Sequence, residues 1–136
     1  MNSSSAADTG KLVLRLVLGL LIILHGISKI MNGLGPIPGV VERAGLPQWF
    51  AYLAYVGEVL APLLLIIGFW TRIAAIIVAI NMTFAVYLVH TSQFFTLNKQ
   101  GGWALELQGM YFFVAIAIAL LGAGRFSAGG AAGRFN

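Results

Sequence analysis

Residues 12–31 read LVLRLVLGLLIILHGISKIM, and this stretch decides the fold. A helix of about 20 apolar residues rises ~30 Å, the thickness of a bilayer's hydrocarbon. Yet the stretch carries Arg15, His25 and Lys29. His25 and Lys29 are four residues apart, so on a helix they stand one above the other on one face. A basic pair in hydrocarbon is costly unless it meets a partner or a watery cavity. Asp8, Glu42, Glu58 and Glu106 are the only acids, and Glu58 and Glu106 lie inside further apolar stretches. Opposite charges are therefore set to meet within a membrane.

The rest of the composition agrees. Of 136 residues, 60% are hydrophobic and 9% charged, against about a quarter charged in a soluble domain. An all-α integral membrane protein, an antiparallel four-helix bundle, is expected. The net charge of +4 belongs to basic flanks at helix ends. No basic run interleaved with aromatics points to nucleic acid as a partner. There are no cysteines, which excludes thiolate nucleophiles, iron–sulfur ligation and a self-contained thiol oxidase. The first apolar run exceeds the roughly 7–15 residues of a signal-peptide core and reads as a span.

Four spans are expected, at 12–31, 50–70, 73–89 and 104–123, forming one transmembrane domain over 12–123. Residues 1–11 read as a flexible tail with Thr9 as a helix cap. Residues 124–136, rich in Gly and Ala, read as a second flexible tail. The loop at 32–49 holds Pro36, Pro38 and Pro47 and cannot be one helix; residues 40–44 can form a helical turn in the interface, with Trp49 and Phe50 anchoring the next span. Thr71-Arg72 reads as a tight turn, which makes the second and third helices antiparallel neighbours. Lys11, Arg15, Arg72, Arg125 and Arg134 fall on one side and Lys29, Arg43 and Lys99 on the other, which places both termini in the cytoplasm. Arg15, Arg72 and Arg125 are read as anchors on lipid phosphate.

With this topology, depths below the outer face follow from the helical rise: ~3 Å for Lys29, ~9 Å for His25, ~12 Å for Glu58 and ~3 Å for Glu106, with His90 at the face itself. Two carboxylates, two imidazoles and an ammonium thus converge on one outward-opening pocket. His25, Glu58 and Lys29 are the candidates for proton transfer and charge tuning. Tyr55, Tyr87, His90 and Glu106 are the candidates for lining a cofactor pocket. Pro62 has no N–H for the carbonyl of residue 58, four back, so a kink is expected beside Glu58. Asn81, in the third span, can hydrogen-bond between helices. Tyr111, Phe112 and Phe113 read as lipid contacts.

Several short motifs recur in an order that resembles one family. They are Arg15 with Gly19, His25-Gly26-x-x-Lys29, Gly45-x-Pro47, Gly57-Glu58 and Gly68-Phe69-x-Thr71-Arg72. His90, Gly101-Gly102, Glu106 and Gly124-Arg125-Phe126-Ser127 complete the set. Over residues 12–127 the chain resembles the DoxX family of small membrane proteins, departing at Ala128, where the family pattern has an acid. The resemblance implies a four-helix protein of the bacterial inner membrane. It also implies an association with redox work, either in quinone-linked oxidation or in complexes that handle thiol and oxidative stress.

Three functions compete. The first is a quinone-interacting, redox-linked subunit whose electrons come from a partner redox protein, with quinone as the expected cofactor. The second is a non-enzymatic scaffold, assembly factor or accessory subunit of a larger membrane complex, the polar cluster gripping a partner helix. The third is small-molecule binding or transport, for which four helices are few, although a homo-oligomer can form a pore. His25, His90, Glu58 and Glu106 have ligand chemistry, and the two histidines can hold haem, but their spacing matches no metal motif and no metal is expected. The lipid bilayer is the one partner that composition itself demands.

Overall fold

The computed structural model describes residues 3–136. Helix α1, Ser3–Asn32, carries the stretch that opened the reading. A short interfacial helix, α2, runs over Ile37–Arg43. The second span, α3, is Gln48–Ile67. Helix α4 is Thr71–Val89, and α5 is Glu106–Leu121. No strand occurs among the described residues, only an isolated bridge between Leu97 and Trp103 in the α4–α5 loop. Three helices (α1, α3 and α4) are long and apolar enough to cross a membrane, while α5 is equally apolar but shorter.

The departures from the expected boundaries have local causes. The helix of the expected first tail begins at Ser3, with residues 1 and 2 outside the described part. Thr9 is no cap: its hydroxyl donates to the Ser5 carbonyl one turn back. The turn after α3 falls at 68–70 rather than at Thr71-Arg72, which instead open α4. Gly68 ends α3 at φ 77°, a left-handed conformation that is cheap only without a Cβ. The fourth span is trimmed from 104–123 to Glu106–Leu121 because Leu105 is buried ahead of the helix and Gly122 turns the chain out at φ 77°. The interfacial turn expected over 40–44 is α2, shifted toward its N-terminal side.

The segment 124–136 folds back across one end of the bundle instead of trailing from it. The N–H groups of Ala128 and Gly129 donate to the carbonyls of Ile67 and Gly68, and the N–H of Arg72 donates to Phe135. The Asn136 side chain accepts from the N–H and hydroxyl of Thr71, capping α4. This segment has the small residues expected of a flexible tail. Here those residues allow the main chain to lie against helix ends whose carbonyls and N–H groups lack helical partners.

Arg15 and Arg72, expected as lipid anchors, instead donate to main-chain carbonyls of the bundle, while Arg125 stays exposed beside an acid. Arg15 is fully buried and donates to the carbonyls of Leu65 and Phe126. Arg72 donates to the carbonyls of Ala119 and Leu120 at the end of α5. Arg125 pairs with Asp8, 3.5 Å away. Both described ends of the chain therefore meet at the same end of the bundle.

The core joins Leu18 and Ile22 of α1, Ala61 and Leu65 of α3, Ala74, Ala75, Val78 and Ala79 of α4, and Ala115 and Ile118 of α5. Its many alanines let backbones approach closely, which is how helices pack where lipid removes the hydrophobic drive. A Cβ at Gly26 would stand 2.1 Å from the Glu58 carbonyl oxygen. Only glycine lets α1 cross α3 at that point.

Candidate functional site

Helix α3 is irregular where the acid sits. It runs as a 3-10 turn over Gln48–Tyr52, a short α segment over Leu53–Tyr55, a π turn over Val56–Leu60, and regular α-helix over Ala61–Ile67. Glu58 is at the middle of the π turn. Pro62 offers no N–H to the Glu58 carbonyl, and the expected kink takes the form of this widened turn. Such turns are frequent at functional sites.

Glu58 is 8% exposed. Its Oε2 accepts from the Lys29 ammonium of α1 in an ion pair. Its Oε1 lies 3.4 Å from Asn81 Nδ2 of α4, a long hydrogen bond. Gly57 makes room for that amide: a Cβ there would meet Asn81 Cγ at 2.4 Å. The Tyr55 hydroxyl donates to the Lys29 carbonyl, 3.1 Å away, and so fixes the end of α1 to α3. One carboxylate thus binds three helices.

The pair opens onto a cavity of about 520 Å³. His25, Lys29, Glu58, Asn81 and His90 all line it, among mostly apolar walls. Two further polar residues of the lining, Gln108 and Tyr111, come from α5. Tyr111 is buried and edge-on to the His25 ring, 6.2 Å between centroids, rather than turned to lipid. Sequence reading missed both. The available signal was their spacing, three apart in an apolar helix and hence on one face, where a polar side chain in a membrane span calls for an explanation.

Not every expected residue joins the site. Tyr55 acts from behind, through the Lys29 main chain. Tyr87 is exposed and lines a separate cavity of about 400 Å³, with Phe94, Trp103 and Phe112. Glu106 is exposed and accepts from Asn98 Nδ2 at 3.2 Å, in the α4–α5 loop. The expected convergence of five ionisable groups therefore becomes four: His25, Lys29, Glu58 and His90 share the cavity, and Glu106 braces a loop. An expected depth in the outer half does not fix azimuth, and depth is all that the spacing gives.

The family pattern named DoxX matches residues 10–91, which hold most of α1, all of α2 to α4 and the Lys29–Glu58–Asn81 contacts. The chain belongs to the DoxX family. Among relatives, it is 30% identical over 104 residues to the Bacillus subtilis (strain 168) protein named "Putative oxidoreductase CatD", covering 76% of this chain and 77% of that one. It is 32% identical over 105 residues to an uncharacterized protein of Haemophilus influenzae (73% and 77% covered). It is 39% identical over 79 residues to an uncharacterized membrane protein of Mycobacterium tuberculosis (55% and 47%). No solved structure matches it. As a DoxX protein it is a membrane protein, and in this chain His25, Lys29, Glu58, Asn81 and His90 line one cavity.

Proposed function

We propose that this DoxX protein is a quinone-interacting, redox-linked subunit of the bacterial inner membrane, with both termini in the cytoplasm and the cavity near the outer leaflet. One observation carries the reading: the largely buried Lys29–Glu58 pair lines a cavity whose walls are mostly apolar. Withdrawing an ion pair from water costs several kcal/mol per ion before attraction offsets it, and apolar side chains of like volume often pack as well. A pair kept at a cavity wall is therefore better explained by a ligand than by packing alone.

The residues fit a quinone. Ligand sites are mainly apolar, with a few placed polar groups. Here Lys29, Asn81, Gln108 and Tyr111 supply N–H and O–H donors for carbonyl oxygens, and apolar walls receive the ring. When bound, a quinone would supply the two-electron, two-proton acceptor, its electrons coming from a partner redox protein. The chain's own part is proton handling. Glu58 holds the Lys29 ammonium in place. His25, one helical turn from Lys29, is placed to give a proton into the same space, and His90, on another wall of the cavity, is placed to restore it. The name of the Bacillus relative supports the redox direction.

The test is to extract purified protein with organic solvent and measure bound quinone by mass spectrometry, for the natural chain and for Glu58→Gln, with lipid background subtracted. Quinone near one per chain, lost in Glu58→Gln, is expected. No enrichment over background would overturn the reading and leave the pair as glue in an accessory subunit.

A further inference from the structure

We infer that Glu58 also selects the redox form that the cavity holds: its Oε1 takes the O–H of a quinol, so the reduced ligand binds more tightly than the matching quinone; this rests on the quinone reading above. An ionised carboxylate only accepts, and its two oxygens offer about four acceptor sites. The structure fills two of them. Oε2 accepts from the Lys29 ammonium, and Oε1 has the Asn81 amide at 3.4 Å. No other group among the described residues donates to this side chain. Yet Glu58 is 8% exposed and lines the cavity, and a buried carboxylate this short of donors is costly. A donor carried by the ligand supplies what the bundle does not.

The other polar residues of the lining do not discriminate. A quinone oxygen only accepts, whereas a quinol hydroxyl both donates and accepts. Lys29 gives one of its three N–H groups to Glu58, and the rest suit either kind of oxygen. The amides of Asn81 and Gln108 and the Tyr111 hydroxyl can each donate, and the imidazoles of His25 and His90 can donate or accept, so all of them serve both forms. Glu58 is the one carboxylate of the lining. It repels a carbonyl oxygen and binds a hydroxyl through a charge-assisted bond, roughly twice as strong as a neutral one. That difference draws the bound couple towards its reduced form. A tenfold preference for the quinol raises the potential of a bound two-electron couple by about 30 mV.

The experiment titrates menadione, menadiol kept reduced under argon, and the dimethyl ether of menadiol against the natural chain, Glu58→Gln and Glu106→Gln in one detergent, with empty micelles subtracted. The chain has no cysteine for menadione to alkylate. The natural chain is expected to bind menadiol about tenfold more tightly than menadione, the gain from one charge-assisted bond. The ether keeps the oxygens and lacks the O–H groups, so it should bind no better than menadione, a check that needs no variant to fold. Glu106→Gln, altered in the α4–α5 loop, should keep the natural ratio. Glu58→Gln loosens Lys29 and weakens both forms, and its neutral amide should bring their ratio to within about twofold. Equal affinity of the natural chain for the two forms, a preference for menadione, an ether that binds as well as menadiol, or a tenfold preference that survives in Glu58→Gln would overturn the selection by Glu58 and leave the quinone reading intact. No binding of either redox form to the natural chain would overturn both.

Discussion

Replacing Gly26 by alanine adds one methyl group, and that methyl should cost the bundle its central crossing. The new Cβ would lie 2.1 Å from the Glu58 carbonyl oxygen, 2.7 Å from its carbon and 2.7 Å from a Val59 methyl. Two of these atoms are main chain, in a π turn that Pro62 already constrains, so no rotamer change relieves the clash. Comfortable contact needs about 3.5 Å, so α1 and α3 must part by roughly 1 Å or more. Overpacking of this kind costs about 1–3 kcal/mol. The parting acts one turn from Lys29, so the ion pair with Glu58 should loosen as well. Gly10, also inside α1, has nothing within 4 Å of a built Cβ, so Gly10→Ala should gain up to ~1 kcal/mol from helix propensity. The same substitution in the same helix thus has opposite signs at the two positions. With no cysteines for thiol dyes, thermal unfolding in detergent can be followed through Trp49, Trp70 and Trp103. Gly26→Ala as stable as the natural chain would refute the close crossing, and with it the geometry given for the site.

Other perturbations separate the roles of the charged residues. Lys29→Met leaves Glu58 without its cation and should destabilise, by less than the ~3–5 kcal/mol of a fully buried pair because Lys29 keeps some exposure. Adding Glu58→Gln to it should restore much of the loss, and a denaturant series on the four proteins reads the coupling. Arg15→Met removes the donor to two carbonyls, at about 1–3 kcal/mol for each one left unsatisfied; Arg15→Lys should recover only part of this in the same melts. Asp8→Asn weakens a pair whose Arg125 side chain is 53% exposed, so its effect should stay below ~1 kcal/mol and shrink further with added salt.

The fold was legible because composition and run length speak directly in a membrane. The apolar runs pointed to the long helices, three of them long enough to cross a membrane, Pro62 pointed to the irregularity at Glu58, and the scarcity of acids drew attention to Glu58 and Glu106. Lys29 as a member of the cluster followed from its spacing to His25. What stayed hidden was rotational. Nothing in the apolar runs fixes which face of a helix turns inward, so Glu106 and Tyr87 were expected at the pocket, although Glu106 braces a loop and Tyr87 lines the smaller cavity. Tyr111 was read as lipid-facing for the same reason. The arginines misled differently. Positive charge near a helix end has two uses, lipid phosphate and main-chain carbonyls, and the choice depends on what else arrives there. In this chain the segment 124–136 arrives and supplies carbonyls to Arg15 and Arg72. Its Gly- and Ala-rich composition gave no hint, because those residues dock through their main chain.

The central claim is that a quinone sits against Lys29 and Glu58 inside the bundle. A photoreactive quinone, irradiated on the purified protein and mapped by peptide mass spectrometry, tests it most directly. The account predicts labelling on residues lining the larger cavity, in 22–29, 50–58 and 77–90, suppressed by excess unlabelled quinone and diminished in Glu58→Gln. Labelling confined to the groove of Phe94, Trp103 and Phe112, or spread over the lipid-facing surface without competition, would contradict it.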